Sequence, residues 1–216
     1  MSKKSWVQSI LKLIASDDKT VLMDTAVELA NKDANEFAGG EVEQAQRIIG
    51  YKGSYQHLEK KTNVPWYFIG LLHLRESNCN FDTHLHNGDP LSARTVHVPA
   101  GRPIRGSPPF DFNFSAVDAL EQKGYHNIKD WSIEHIAYCL EKYNGFGYRS
   151  KGVPSAYLWA SSNQYEKGKY ISDGIFKSNV VDTQLGAMVV LKCILDIEQV
   201  EKPTSHPTLD PELIDI

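Results

Sequence analysis

The stretch from Phe81 to Pro109 constrains the fold most, because it interrupts a chain that otherwise carries helical patterns. Apolar residues recur at helical spacing before and after it, but inside it that period vanishes. Turn-forming residues flank a short segment, 95–99, in which Thr, His and Pro alternate with two valines. This alternation predicts a short β-hairpin or ribbon. We therefore expect a mainly α fold with a small β insertion.

Apolar periodicity and helix start and stop residues predict the remaining elements. One domain is expected for 216 residues. We expect N-terminal helices over 1–60 packed on a catalytic core over 61–200, with an extended tail over 201–216. The predicted helices are a first amphipathic helix around Trp6 and Ile10, then Val21–Lys32, Glu41–Lys60, Pro65–Glu76, Ser115–Gly124, Ser132–Gly145, a short turn from Pro154, and Val180–Glu198.

The composition argues against several classes of function. Lys and Arg number 23 against 27 Asp and Glu, giving a net charge of -4 without basic tracts, so no nucleic-acid partner is expected. No apolar run approaches the roughly 18 to 20 residues that span a bilayer, so no stable membrane association is expected. Three scattered cysteines fit neither a disulfide framework nor a CxxC metal site. The N-terminal stretch lacks the unbroken apolar core of a signal peptide, which predicts synthesis in the cytoplasm.

Glu76 is the strongest catalytic candidate, because it ends an otherwise apolar helix. The C-terminal end of the helix macrodipole disfavours a negative charge, and the apolar neighbours Ile69 and Leu72 would shield the carboxyl from water. Both effects raise the pKa, and a Glu protonated near neutrality is what a general acid requires. The alternative is a Glu exposed at a frayed helix end or paired with Arg75 or a lysine.

The segment Leu71–Asn78, with Phe81 after it, resembles the helix of the lysozyme superfamily that ends in a catalytic Glu followed by Ser. Goose-type lysozymes and lytic transglycosylases belong to that superfamily. A later Tyr143-Asn144-Gly145 resembles the motif that lines the glycan cleft of the transglycosylases. The resemblance, over about residues 60 to 195, implies a lysozyme-like α+β domain with a hairpin after the catalytic helix.

The segment after Glu76 departs from the transglycosylases, because no Gly-Leu-Met-Gln-like sequence follows before Ser107. It resembles instead the hairpin of phage-type muramidases, in which an Asp and then a Thr follow the Glu. The resemblance implies that Asp89 orients water, helped by the Thr95 hydroxyl, although Asp89 before a proline also suits an Asx-turn. Asp82 is the reserve second carboxylate.

Residue types suggest the substrate contacts, since sugars stack on aromatic rings and bond to amides and guanidinium groups. Some of these side chains also suit core packing, Tyr143 in particular. Arg94 would contact peptide carboxylates of peptidoglycan. The predicted substrate-binding residues are Ser77, Arg94, Tyr143, Asn144, Tyr148 and Tyr157.

The resemblance implies a muramidase that cleaves the β-1,4 bond between N-acetylmuramic acid and N-acetylglucosamine. We expect a monomer that acts on peptidoglycan glycan strands after release or secretion, without cofactor or metal. Alternatives are a lytic transglycosylase using Glu76, a chitinase-like glycosidase, or a non-enzymatic binding module. A last alternative is a metal-dependent cell-wall amidase or peptidase using His73, His84, His86, Asp89 and His97, some of which alternate as ligands on a strand would.

Overall fold

The computed structural model describes residues 40–172 and 174–198. The predicted helices before Gly40 and the predicted C-terminal tail lie outside these residues. Within the described chain there are eight α-helices and one antiparallel hairpin. The helices are α1 Glu41–Gly50, α2 Lys52–Thr62, α3 Trp66–Ser77, α4 Phe112–Gln122, α5 Ile133–Asn144, α6 Gly147–Ser150, α7 Ala156–Trp159 and α8 Ala187–Glu198; the strands are β1 Lys169–Ser172 and β2 Ile175–Lys177. The prediction of a mainly α fold is confirmed.

Helix α3 is the centre of the core. Its first nine residues, WYFIGLLHL, are all buried, as expected of a helix that is apolar on every side. It packs against α1, α2 and α8. Gly70 permits the packing against α1 and α2, because a Cβ there would collide with the Ile48 side chain and lie 3.2 Å from the Tyr55 ring. The helix that carries Glu76 is therefore held on several sides.

Several predicted helix boundaries differ from those observed. The segment Glu41–Lys60 forms two helices separated at Tyr51, and the last helix begins at Ala187 instead of Val180. Helix α4 begins at Phe112, because the Asp111 carboxylate caps it by accepting the backbone N–H of Phe114 at 3.0 Å. The predicted limits of α5, with Ser132 before it and Gly145 after it, are confirmed.

The predicted ribbon over 95–99 is wrong. Between Phe81 and Pro109 the pairing is limited to one bridge, Thr83 with Pro90, and the hairpin lies further along the chain at β1 and β2. The physical reason is that a side chain takes the place of the partner strand. The backbone N–H groups of Val96 and His97 both donate to Oδ2 of Asp89, at 2.8 and 3.0 Å.

Candidate functional site

Glu76 lies in the last turn of α3, where its side chain is partly buried. Burial is the main influence on the carboxyl and raises its pKa to about 7. Three groups act in the opposite direction: a hydrogen bond from Tyr157 and the positive charges of Arg75 and Lys123. The net effect is a carboxyl that titrates near neutrality. The prediction that its surroundings raise the pKa of Glu76 agrees with this geometry.

Tyr157 is the direct partner of Glu76. Its hydroxyl donates to Oε1 of Glu76 at 2.8 Å, across 81 residues of sequence. Burial, followed by the neighbouring Glu76 carboxyl, raises the pKa of Tyr157 well above its ordinary value, so the phenol keeps its proton and remains a donor. The other oxygen, Oε2, has no hydrogen-bond partner among the described residues. Glu76 keeps some solvent exposure, and Oε2 is not one of the buried side-chain atoms that lack a partner, so this oxygen contacts solvent.

Arg75 does not pair with Glu76, although it precedes it in sequence. Its guanidinium donates to Oδ2 of Asp182 at 3.1 Å and to the backbone carbonyls of Gln184 and Leu185 at 3.1 and 2.8 Å. The same guanidinium lies over the ring of Tyr157, 4.6 Å from its centroid. The structure therefore does not contain the Glu76–Arg75 ion pair that the sequence left as an alternative.

The loop before α8 also caps the end of α3. The side-chain amide of Gln184 donates to the carbonyls of Leu74 and Arg75, at 3.0 and 3.1 Å, and these carbonyls lie in the last turn of the helix. Asp182 is buried, and burial alone would raise its pKa, but hydrogen bonding to Lys169 and the charge of Arg75 lower it. These contacts hold the turn that carries Glu76. The contacts of Asp182 and Gln184 with α3 join residues more than a hundred positions apart, so no local sequence pattern predicts them.

The loop that contains Asp89 passes directly over the Glu76 backbone. Gly88 adopts a left-handed φ of +79°, and a Cβ there would lie 2.6 Å from the carbonyl oxygen of Glu76. Only glycine allows this approach without displacing the backbone. Asp89, the next residue, is thereby brought to the end of α3.

The Asp89 carboxylate accepts hydrogen bonds mainly from the loop that follows it. Its Oδ2 accepts the Asn87 side-chain amide at 3.1 Å in addition to the two backbone N–H groups of Val96 and His97, and its Oδ1 lies 2.6 Å from Nδ1 of His97. Burial opposes ionisation, but the bonds from His97 and Val96 lower the pKa of Asp89 below its usual value. The carboxylate is therefore ionised, and most of its acceptor capacity is used.

Thr95 is buried within the same loop. Its hydroxyl donates to the carbonyl of Pro99 at 2.5 Å and accepts the backbone N–H of Arg102 at 2.9 Å. Both bonds close the turn between residues 95 and 102. The Thr95 hydroxyl thus stabilises the conformation of this loop.

Apart from Tyr157, which bonds to Glu76, the predicted substrate-binding residues divide into two groups. Tyr143 is buried and donates its hydroxyl to the carbonyl of Leu85 at 2.7 Å, and Ser77 bonds weakly to the carbonyl of His73 at 3.4 Å. Arg94 donates to the carbonyl of Gly106 at 2.7 Å. These three side chains bond to the backbone of the protein itself.

Asn144 and Tyr148 belong to a different place, a cavity of about 510 Å³ between the end of α5 and the hairpin. Asn144 is exposed there, and the hydroxyl of Tyr148 accepts the backbone N–H of Tyr170 at 3.4 Å. A second cavity, of about 680 Å³, contains the reserve carboxylate Asp82. Glu76 is not among the residues that line either cavity.

The histidines of the predicted metal site lie in separate hydrogen-bonding pairs. In the part of the chain that the structure describes, no group of three His, Cys, Asp or Glu side chains is placed to hold a metal. Burial lowers the pKa of His73 and of His86 to about 4, so both rings are neutral at pH 7. The ring nitrogens lie within hydrogen-bond distance of other groups: Tyr55 and Asn80 for His73, Ser115 and Ala93 for His84, Asp118 for His86, and Asp89 for His97.

Lys123 is a charged neighbour of Glu76 that the motifs did not indicate. It follows α4, is half-buried, and donates to the carbonyl of Tyr143 at 3.3 Å. Its Nζ also lies 4.8 Å from the centre of the Tyr143 ring. A lone lysine after a helix carries no sequence signal, so only the fold shows that its charge acts on Glu76.

Together these features define, over the described residues, a mainly helical protein with a shielded carboxylic acid, Glu76, at the end of a buried helix. No family model matches the chain, and no curated protein or solved structure is significantly similar to it. Over residues 40–172 and 174–198 the structure also contains no helix long and apolar enough to cross a membrane.

Proposed function

We propose that the protein is a peptidoglycan-degrading glycosidase in which Glu76 is the general acid. The observation that carries the proposal is the environment of Glu76: burial raises its pKa to about 7, its Oε1 is held by Tyr157, and its Oε2 has no partner in the described chain. A carboxyl that holds its proton near neutrality on an oxygen open to a ligand suits proton donation to a leaving group. The resemblance of the 71–81 segment to the lysozyme superfamily supplies the substrate class.

In the proposed reaction Glu76 gives its proton to the glycosidic oxygen while the bond from that oxygen to C1 of N-acetylmuramic acid breaks. The sugar passes through an oxocarbenium-like state, and the leaving N-acetylglucosamine carries away the proton. Glu76 is then a carboxylate and takes a proton from the attacking O–H group while the oxygen of that group bonds to C1, which restores the acid. A muramidase uses water for this attack.

A lytic transglycosylase is the second candidate, because the Asp89 carboxylate already accepts four contacts. That occupancy leaves little capacity to orient water. In the second route the C6 hydroxyl of the muramic acid attacks C1, and Glu76 alone acts as acid and then as base. The product is an anhydro sugar instead of a reducing end.

The test is the release of fragments from purified peptidoglycan by the wild type, E76Q and E121Q. Glu121 is an exposed residue of α4, so E121Q is a matched control for the change of charge. We expect E76Q to abolish lysis while it still sediments with cell walls, and E121Q to lyse like the wild type. Lysis by E76Q would overturn the proposal.

Mass spectrometry of the fragments separates the two routes. Reducing muramic ends identify a hydrolase, and anhydro-muramic ends identify a transglycosylase. Free stem peptides that disappear with a chelator would identify the metal-dependent amidase instead and refute both.

A further inference from the structure

Lys123 forms no salt bridge within the part of the chain that the structure describes. Its ammonium donates to one backbone carbonyl, that of Tyr143, and faces the ring of the same residue. Among residues 40–172 and 174–198, no Asp or Glu lies within salt-bridge distance of it. Since Lys123 is half-buried, part of its hydration is lost without an anion to replace it.

The position of Lys123 relative to Glu76 follows from the packing. Tyr143, which Lys123 contacts, donates its hydroxyl to Leu85, and the loop that begins there reaches the Glu76 carbonyl through Gly88. Lys123 and Glu76 influence each other electrostatically, and exposed Lys142 adds a second positive charge on this side. The chain is acidic overall, but it is locally basic beside the candidate acid.

The protonation state of Glu76 decides what Lys123 can bind. A general acid must carry its proton when the substrate arrives, and a neutral Glu76 offers no negative charge to the ammonium. The other nearby cation, Lys142, cannot serve as a counter-ion. With Glu76 protonated, no carboxylate of the described residues balances the Lys123 ammonium.

We propose that Lys123 binds a carboxylate of the substrate, so that the site takes a glycan bearing acidic groups in preference to a neutral one. This inference rests on the proposed function and deepens it. The stem peptides of peptidoglycan carry free carboxylates beside the muramic acid, whereas chitin carries none. Lys123 is thus a specificity-determining residue for peptidoglycan over chitin.

The experiment compares two forms of one substrate. Peptidoglycan is used as isolated, and after its carboxylates have been coupled to methylamine with a carbodiimide, which leaves the glycan bond intact. Values of kcat/KM are measured for the wild type, K123M, K123R and K129M. Lys129 is an exposed lysine in the loop before α5, so K129M controls for the loss of one charge.

For the wild type and K129M we expect amidation to lower kcat/KM about tenfold, between the values typical of exposed and of buried ion pairs. K123M should lose about the same factor on the native substrate and be insensitive to amidation. K123R should keep most of the discrimination, because it keeps the charge. If amidation lowers kcat/KM equally for the wild type and K123M, the inference is wrong.

The outcomes also separate this inference from the proposed function. A wild type that cleaves both substrates equally well overturns the role of Lys123 alone. A wild type that cleaves neither overturns the proposed function together with it. If K123M does not fold, the inference is still overturned by a wild type that cleaves the two substrates equally well.

Discussion

Glu76→Gln should make the protein more stable at alkaline pH and leave its stability almost unchanged in mild acid. The pKa of Glu76 is about 7 in the folded state against an ordinary value of 4.5. Below 4.5 the carboxyl is protonated in both folded and unfolded chains, so it adds no difference. Above 7 it is charged in both, and the folded state bears the cost of an ion shielded from water.

The magnitude follows from the separation of the two pKa values. A separation of 7 − 4.5 = 2.5 pH units, at about 1.36 kcal/mol per unit, gives an upper bound of roughly 3 kcal/mol. Because the side chain keeps some exposure, we expect a gain of about 1 to 3 kcal/mol for E76Q at pH 8. The amide is isosteric and still accepts the Tyr157 hydroxyl, so packing changes little.

Urea unfolding at several pH values between 4 and 8.5 measures this difference in the free energy of unfolding. Other titrating groups, including the buried histidines His73 and His86, are common to both variants and cancel in the difference. The E76Q advantage should grow as the pH rises from 4.5 to 7 and then level off. If the extra stability of E76Q is independent of pH, or shrinks as the pH rises, the pKa of Glu76 is not raised. This test does not require the substrate to be known.

Three further changes probe the surroundings of Glu76. Y157F removes the hydroxyl that donates to the Glu76 carboxylate, a hydrogen bond worth about 1.5 kcal/mol. The pKa of Glu76 should therefore rise, and the alkaline limb of the pH profile of kcat/KM should move up by about one pH unit. A limb that stays in place or moves down contradicts this. G88A places a Cβ against the Glu76 carbonyl at a left-handed φ and should cost about 1 to 3 kcal/mol in thermal unfolding, so wild-type stability would count against that close approach. D89N weakens the acceptor of two loop amides, and hydrogen exchange at Val96 and His97 should accelerate; unchanged protection would mean that another group holds the loop.

The helices could largely be predicted from the sequence, because their determinants are local. The apolar run that forms α3 and the end of that helix after Ser77 depend on adjacent residues in the sequence. The limits of α5 likewise depend on Ser132 before it and Gly145 after it. Local sequence was not sufficient to decide whether residues 95–99 form a β-ribbon. Alternation specifies which side chains share a face, but it does not specify what accepts the backbone N–H groups, and here a carboxylate outside the segment accepts two of them.

At the candidate site, too, the features set by local sequence could be predicted and those set by tertiary contacts could not. The raised pKa of Glu76 could be predicted, because its position at a helix end and its apolar neighbours both favour the protonated form. Tyr157, Asp182 and Lys123 reach the end of α3 through tertiary contacts, and nothing near them in sequence marks them as neighbours of Glu76. Tyr157 was expected to bind substrate directly, whereas the structure places its hydroxyl on the candidate acid.

Asp182 explains why the arginine next to Glu76 does not abolish its acidity near neutral pH. An Arg paired with a carboxylate usually lowers the pKa of that carboxyl by one to three units, which would leave Glu76 ionised and unable to donate a proton. In this protein Asp182 and two backbone carbonyls take the Arg75 guanidinium, so its charge acts on Glu76 only from a distance and is partly neutralised. The direct partner of Glu76 is then a neutral phenol, whose hydrogen bond orients the carboxyl at a smaller electrostatic cost to its proton than an ion pair would impose. The contact between α3 and the loop before α8 thus has two effects, since it fixes the helix end and keeps a strong cation away from the proposed general acid.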